Sequence, residues 1–191
     1  MRIVAGEFRG RIIDAPEGEG TRPTTDRVRE ALFSSLYSLR GGFDGAVVLD
    51  AFAGSGALGI EALSRGAERA VFFENAQRAA KACQRNLGVC KLDASRAVIM
   101  RRDFLRNPPI TQIPPFDLVF LDPPYAFDPQ NVLQVIRTLV DSEAISRDAI
   151  VVYEHAHTAA REVAEAAQAA GFELAASKKY GKTGVAILKM E

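Results

Sequence analysis

Residues Asp122-Pro123-Pro124-Tyr125 close an apolar run, FDLVFLD. Two successive prolines have no N–H to donate and fix the direction of the chain, so the carbonyls around them can only accept hydrogen bonds. Asp122 adds a carboxylate, a further acceptor. Such a group of acceptors suits an exocyclic amine on a nucleobase, which carries two N–H donors and a lone pair delocalised into the ring. If Asp122 and the Pro123 carbonyl each accept one hydrogen, the nitrogen is drawn towards tetrahedral geometry and its lone pair becomes available for attack. Catalysis is then mainly positioning, with Asp122 a candidate proton acceptor and Tyr125 a stacking platform. A base inside a duplex cannot enter such a site, so the target is single-stranded or flipped out, at a cost of a few kcal/mol.

A second motif lies upstream in DAFAGSGALG, Asp50 to Gly59, where Gly54, Gly56 and Gly59 fit G-x-G-x-x-G with Ser55 between the first two. Glu74 follows Gly54 by 20 residues, about where a dinucleotide-binding turn carries its ribose acid. Asp50 argues against a dinucleotide, because its carboxylate would face a pyrophosphate resting on the same helix N-terminus. S-adenosylmethionine (SAM) suits the turn better: it carries a sulfonium and an amino group and no phosphate, and the glycines permit close backbone approach. Glu74 is then expected to accept from the ribose hydroxyls, Asp103 from the adenine amine, and Phe104 to cover the ring face.

These residues need strand ends to hold them. From Ala46 the pattern alternates: AVVLDAF, a helix over Ala57 to Arg65, RAVFFE, a helix over about Ala76 to Cys90, AVIMRRD, a proline-rich loop, FDLVFLD, a helix near Val132 to Val140, AIVVYEH and a helix near Thr158 to Ala170. Short β-rich runs alternating with helices predict a parallel sheet. The last two strands, FELAASKKY and GVAILKM, have only GKT between them and must form an antiparallel hairpin. The expected fold is therefore α/β and Rossmann-like, a seven-stranded mostly parallel sheet with a C-terminal antiparallel hairpin. Ahead of it, residues 1–14 read as two short strands around Gly6, an appendage in the form of a small N-terminal β-hairpin, followed by the loop EGEGTRP. Thr24 or Thr25 can cap a helix with Val28, Leu32, Leu36 and Leu39 on one face, stopped by Gly41 and Gly42.

Composition sets bounds. The 191 residues are enough for one domain burying roughly 70% of its unfolded surface. No apolar run approaches a membrane span and the N-terminus lacks a signal-peptide core, so a cytoplasmic location is expected. Cys83 and Cys90 form no C-x-x-C pair and read as reduced thiols. Lys plus Arg and Asp plus Glu balance at 24 each, so net charge indicates no polyanionic partner. Charge is nevertheless clustered, with Arg2, Arg9 and Arg11 at the start and Lys178, Lys179 and Lys182 near the end. The run Glu154-His155-Ala-His157 offers metal-type donors on one strand, but same-strand neighbours rarely converge without ligands from elsewhere, and no metal is expected. Lys182-Thr183-Gly184 is a hairpin turn.

VLDAFAGSGALGIEALSRGA and FLDPPY, preceded by RPTTDRVREALF, make the chain similar to the bacterial RsmD family of 16S ribosomal RNA guanine-N2 methyltransferases, from IVAGEFRGR to KKYGKTGVAILK. The resemblance implies SAM-dependent methyl transfer to the N2 amine of a guanine in 16S rRNA, within an assembling small ribosomal subunit. It puts cofactor contacts on Asp50, Gly54, Gly56, Glu74, Asp103 and Asp122, and the catalytic loop on Asp122 to Tyr125. It divides the chain into an RNA-facing extension, 1–22, and a methyltransferase domain, 23–191. Arg2, Arg9, Arg11, Arg22, Lys178, Lys179 and Lys182 become the RNA-binding candidates. Two other functions fit the motifs: an adenine-N6 DNA methyltransferase, and a non-catalytic SAM- or RNA-binding protein. The first lacks chain for a separate DNA-reading domain, and the second has no use for acceptors aimed at an amine.

Overall fold

The structure is a computed structural model and describes residues 1–15 and 26–191. The loop EGEGTRP, the capping threonines Thr24 and Thr25, Arg22 and the 22/23 boundary fall outside the described residues. The described residues hold a seven-stranded, mostly parallel sheet that ends in an antiparallel hairpin. Three strands belong to one compact unit, Met1–Asp103, and four to a second, Phe104–Glu191.

In the first unit, α1 (Asp26–Arg40) precedes β1 (Val47–Asp50), α2 (Ala57–Ser64), β2 (Arg69–Phe73), α3 (Gln77–Val89) and β3 (Ala97–Met100). The strands are parallel in the order β3-β2-β1, with Asp50 opposite Phe72 and Phe72 opposite Ile99. This register brings the ends of β1 and β2 to one edge, so Asp50, the glycine turn and Glu74 emerge together. The β1 residues are all buried, and all but the terminal Asp50 are apolar, as expected of a strand covered on both faces.

Three expectations for this unit need correction. The N-terminal segment forms one antiparallel bridge, Arg2 to Ile12, with hydrogen bonds from Ile3 N to Arg11 O and from Gly10 N to Ile3 O, in place of two strands. Nor is it an appendage: Ile3, Phe8 and Ile13 are buried, and the segment is fastened to α2. Glu61 on α2, wholly buried, accepts the backbone N–H groups of Val4 (2.9 Å) and Ala5 (3.1 Å) and pairs with Arg65 (2.8 Å) and Arg29 (3.5 Å). The same segment meets Ser64, whose hydroxyl accepts from Phe8 N at 2.9 Å. The buried stripe of α1 is correspondingly Arg29, Leu32, Phe33 and Leu36, while Leu39 is exposed. The apolar spacing gave Leu32 and Leu36 but turned the face too far, because a buried arginine takes a core position there.

In the second unit, β4 (Phe116–Leu121) leads through the Asp-Pro-Pro-Tyr segment to α4 (Pro129–Asp141), β5 (Ile145–Ala156), α5 (Ala160–Ala169), β6 (Phe172–Tyr180) and β7 (Thr183–Met190). The order is β4-β5-β7-β6, with β4 and β5 parallel and β7 antiparallel to both neighbours. Helix α4 starts a turn earlier than its apolar pattern indicates, because Asp128 caps it by accepting from Gln130 N (2.9 Å) and Pro129 takes the first helical position. Strand β5 is longer than AIVVYEH: its start pairs with β4 at Ile145–Phe116, ahead of a register shift.

Candidate functional site

The glycine turn of the first unit is shaped by carboxylates. Gly56 sits in the left-handed region (φ 80°) at the N-terminus of α2, and a Cβ there would lie 2.7 Å from the Cys83 sulfur. A Cβ at Gly59 would lie 2.3 Å from the Phe72 ring. Only glycine fits either place. Asp50, 2% exposed, accepts the Gly59 N–H at 3.0 Å. An N–H that a pyrophosphate would need is thus held by a carboxylate, which disfavours a dinucleotide.

Glu74 spans the turn, one oxygen accepting Gly54 N at 2.8 Å and the other Ala76 N at 2.7 Å. A carboxylate has about four lone-pair sites, so Glu74, half-buried, keeps capacity for two hydroxyls. Burial foremost, then the charges of Asp50 and Glu74, push the Cys83 thiol up. The negative field that disfavours a thiolate favours a cation, and with no basic side chain between Asp50 and Gly59 these residues fit a sulfonium ligand. Ser55 is buried, and its carbonyl accepts from Asn86 (2.9 Å), a residue with no local sequence signal that also bonds the Asp14 backbone.

Asp103 lies three residues beyond the end of β3, after a bend in which Arg102 N donates to Met100 O at 2.9 Å, and is half-buried. Phe104, which follows it, is 2% exposed and packs in the core.

In the second unit, Asp122 follows β4 directly and is half-buried, and its carboxylate has no hydrogen-bond partner among the described residues. Burial pushes its pKa up to about 6. The Pro124 carbonyl accepts from Phe127 N (2.9 Å), while the Pro123 carbonyl has no protein donor among the described residues. Tyr125 is exposed. A cavity of about 240 Å³ opens here, its wall including Pro123, Tyr125, Tyr153, Glu154 and His155. Burial first, then the carboxylates of Asp128, Glu162 and Asp122, push the Tyr153 hydroxyl up and keep it protonated.

The basic candidates differ in placement. Arg2 is exposed and pairs with Asp26 at 3.2 Å. Arg9 is exposed, and its guanidinium has no partner among the described residues. Arg11 is engaged structurally, donating to Val89 O at the end of α3 (2.7 Å) and lying 5.1 Å over the Phe8 ring. Lys178, Lys179 and Lys182 are exposed on or beside the edge strand β6. His155 is buried with Nδ1 2.8 Å from Ala156 O, and no group of three or more metal-type side chains occurs among the described residues. No helix among them is long and apolar enough to cross a membrane.

The sheet order, the glycine turn and the Asp-Pro-Pro-Tyr strand end define a Rossmann-like methyltransferase fold. The chain belongs to the family described as Conserved hypothetical protein 95, the RsmD family, whose model matches residues 1–189. It is 38% identical over 157 residues to Ribosomal RNA small subunit methyltransferase D of Haemophilus influenzae, covering 81% of this chain and 78% of that protein. Among solved structures it is similar to Escherichia coli yhhF (TM-score 0.75, 31% identity, 100% of this chain and 98% of that one). Magnesium protoporphyrin IX methyltransferase of Synechocystis with bound SAM shares the fold (TM-score 0.66, 15% identity, 91% and 87% of the two chains).

Proposed function

We propose that this protein transfers the methyl group of SAM to the exocyclic N2 amine of a guanine in 16S ribosomal RNA, within an assembling small ribosomal subunit in the cytoplasm. The observation that carries the reading is the pair of unsatisfied acceptors at the end of β4, the Asp122 carboxylate and the Pro123 carbonyl. Neither acceptor has a protein donor among the described residues, so the pair favours a ligand that brings two donors.

Glu74 and the glycine turn would hold SAM, which would supply a methyl group on a sulfonium. Asp122 and the Pro123 carbonyl accept the two amine hydrogens and turn the nitrogen lone pair out of conjugation. As the N–C bond forms and the S–C bond breaks, the electron pair of the latter returns to sulfur, and Asp122 takes the proton the amine must lose. Tyr125 stacks on the base, and its exposure suits a nucleotide splayed out of its strand. Arg9 and the lysines of the β6 edge supply phosphate contacts; Arg2 joins them by exchanging its Asp26 partner.

The test is transfer of labelled methyl from SAM to unmodified 16S rRNA, bare and in small subunits, with plasmid DNA alongside and Asp122→Ala as blank. Label on RNA that the variant does not produce is expected. Label on DNA would replace this reading with the adenine one, and binding of SAM without any transfer would replace it with a non-catalytic role.

A further inference from the structure

Glu154 sits at the C-terminal end of β5, one residue past Tyr153, which pairs with Leu121 of β4; Asp122 follows Leu121 directly. It is about nine-tenths buried, and it lines the same cavity as Pro123 and Tyr125. The amine chemistry above does not use this carboxylate. Glu154 is already engaged within the protein, and a carboxylate has about four lone-pair sites, so its two oxygens have room for a further donor from a molecule in the cavity.

We propose that Glu154 is the residue that selects guanine, by accepting the N1–H of the target base. This rests on the guanine-amine function proposed above and deepens it. The Watson–Crick edge of guanine presents three adjacent donors, N1–H and the two N2 hydrogens. The second unit presents three acceptors: Glu154 for N1–H, and Asp122 with the Pro123 carbonyl for the amine. Adenine and cytosine each offer an amine beside an unprotonated ring nitrogen, which would set a lone pair against the Glu154 carboxylate. That repulsion, together with the lost hydrogen bond, separates guanine from the other two amino bases.

The assay compares guanine with 2-aminopurine at the mapped target position of 16S rRNA reconstituted into small subunits. 2-Aminopurine keeps the methyl-accepting amine but has an unprotonated N1. The wild-type protein is expected to methylate guanine about 10- to 100-fold faster, the range of a hydrogen bond to a charged group. Glu154→Gln should slow guanine by a similar factor and bring the two bases within about threefold, since the amide can donate to the N1 of 2-aminopurine. Equal wild-type rates on the two bases overturn the assignment without touching the amine chemistry, and this comparison decides even if the variant fails to fold. A Glu154→Gln protein with unchanged guanine preference and normal SAM binding also overturns it. A wild-type protein that labels no guanine overturns the proposed function and this assignment together.

Discussion

Asp122→Asn should make the protein more stable and less active at once. In the folded chain burial raises the Asp122 carboxyl from 3.8 to about 6. The folded state therefore takes up this proton before the unfolded state as pH falls, and the carboxylate opposes folding increasingly above pH 3.8 and in full above about pH 6. A rise of about 2 units at 1.36 kcal/mol each corresponds to about 3 kcal/mol of destabilisation at pH 8. At pH 5 roughly half of this remains, and below the unfolded value of 3.8 none does. Asparagine removes the charge and keeps one acceptor oxygen. In urea denaturation at pH 8 the variant should exceed the wild type by up to about 3 kcal/mol, with the gap narrowing at pH 5. Methyl transfer should fall at least about 100-fold, the low end for loss of a positioned proton acceptor. Wild-type kcat/KM should likewise fall as pH drops through about 6. A variant that is less stable at pH 8, or a stability gap that does not change with pH, would refute the reasoning that this acid is held charged at a cost for the sake of its chemistry.

The remaining sites give sharper contrasts. Tyr125→Ala should cost about 1–3 kcal/mol in kcat/KM, the scale of one base–aromatic stack, with Tyr125→Phe restoring it; a loss shared by the phenylalanine variant would assign the role to the hydroxyl. Glu74→Ala should weaken SAM binding by about 1.5–3 kcal/mol in calorimetry, since it removes a charged acceptor and loosens Gly54 and Ala76; unchanged affinity would take Glu74 out of the site. Glu61→Ala leaves buried Arg29 without a carboxylate partner at that end and should destabilise the fold by about 3–5 kcal/mol by denaturation; a change below about 1 kcal/mol would show that the N-terminal segment is held by its apolar residues alone.

Much of the fold was legible because its signals are local. The strand β6 over Phe172–Tyr180 and its partner β7 follow from two β-rich runs with three residues between them, too few for a crossover. The turn at Gly54 to Gly59 and the Asp-Pro-Pro-Tyr segment announce themselves by residue type, since their backbones need glycine freedom or proline rigidity. What escaped depends on contacts distant in sequence. Glu61 meets Val4 and Ala5 across more than fifty residues, and Asn86 links Asp14 to Ser55, so no periodicity marks either. The face of α1 was misjudged at Leu39 for the same reason: Arg29 reads as a surface charge until its partner on α2 is known. The bond from Arg11 to the Val89 carbonyl was likewise hidden, because its acceptor is a backbone group that no residue type reveals. Phe104 could be placed beside Asp103 but not oriented.

The central claim is that acceptors at the end of β4 activate a guanine amine for methylation. It is tested most directly by digesting small-subunit RNA after reaction with isotopically labelled SAM and identifying the modified nucleoside by mass spectrometry. The account predicts N2-methylguanosine at a single position, absent when Asp122→Ala replaces the wild-type protein. Label on a ring nitrogen, on a ribose hydroxyl or on adenine N6, or N2-methylguanosine formed equally well by the variant, would contradict it.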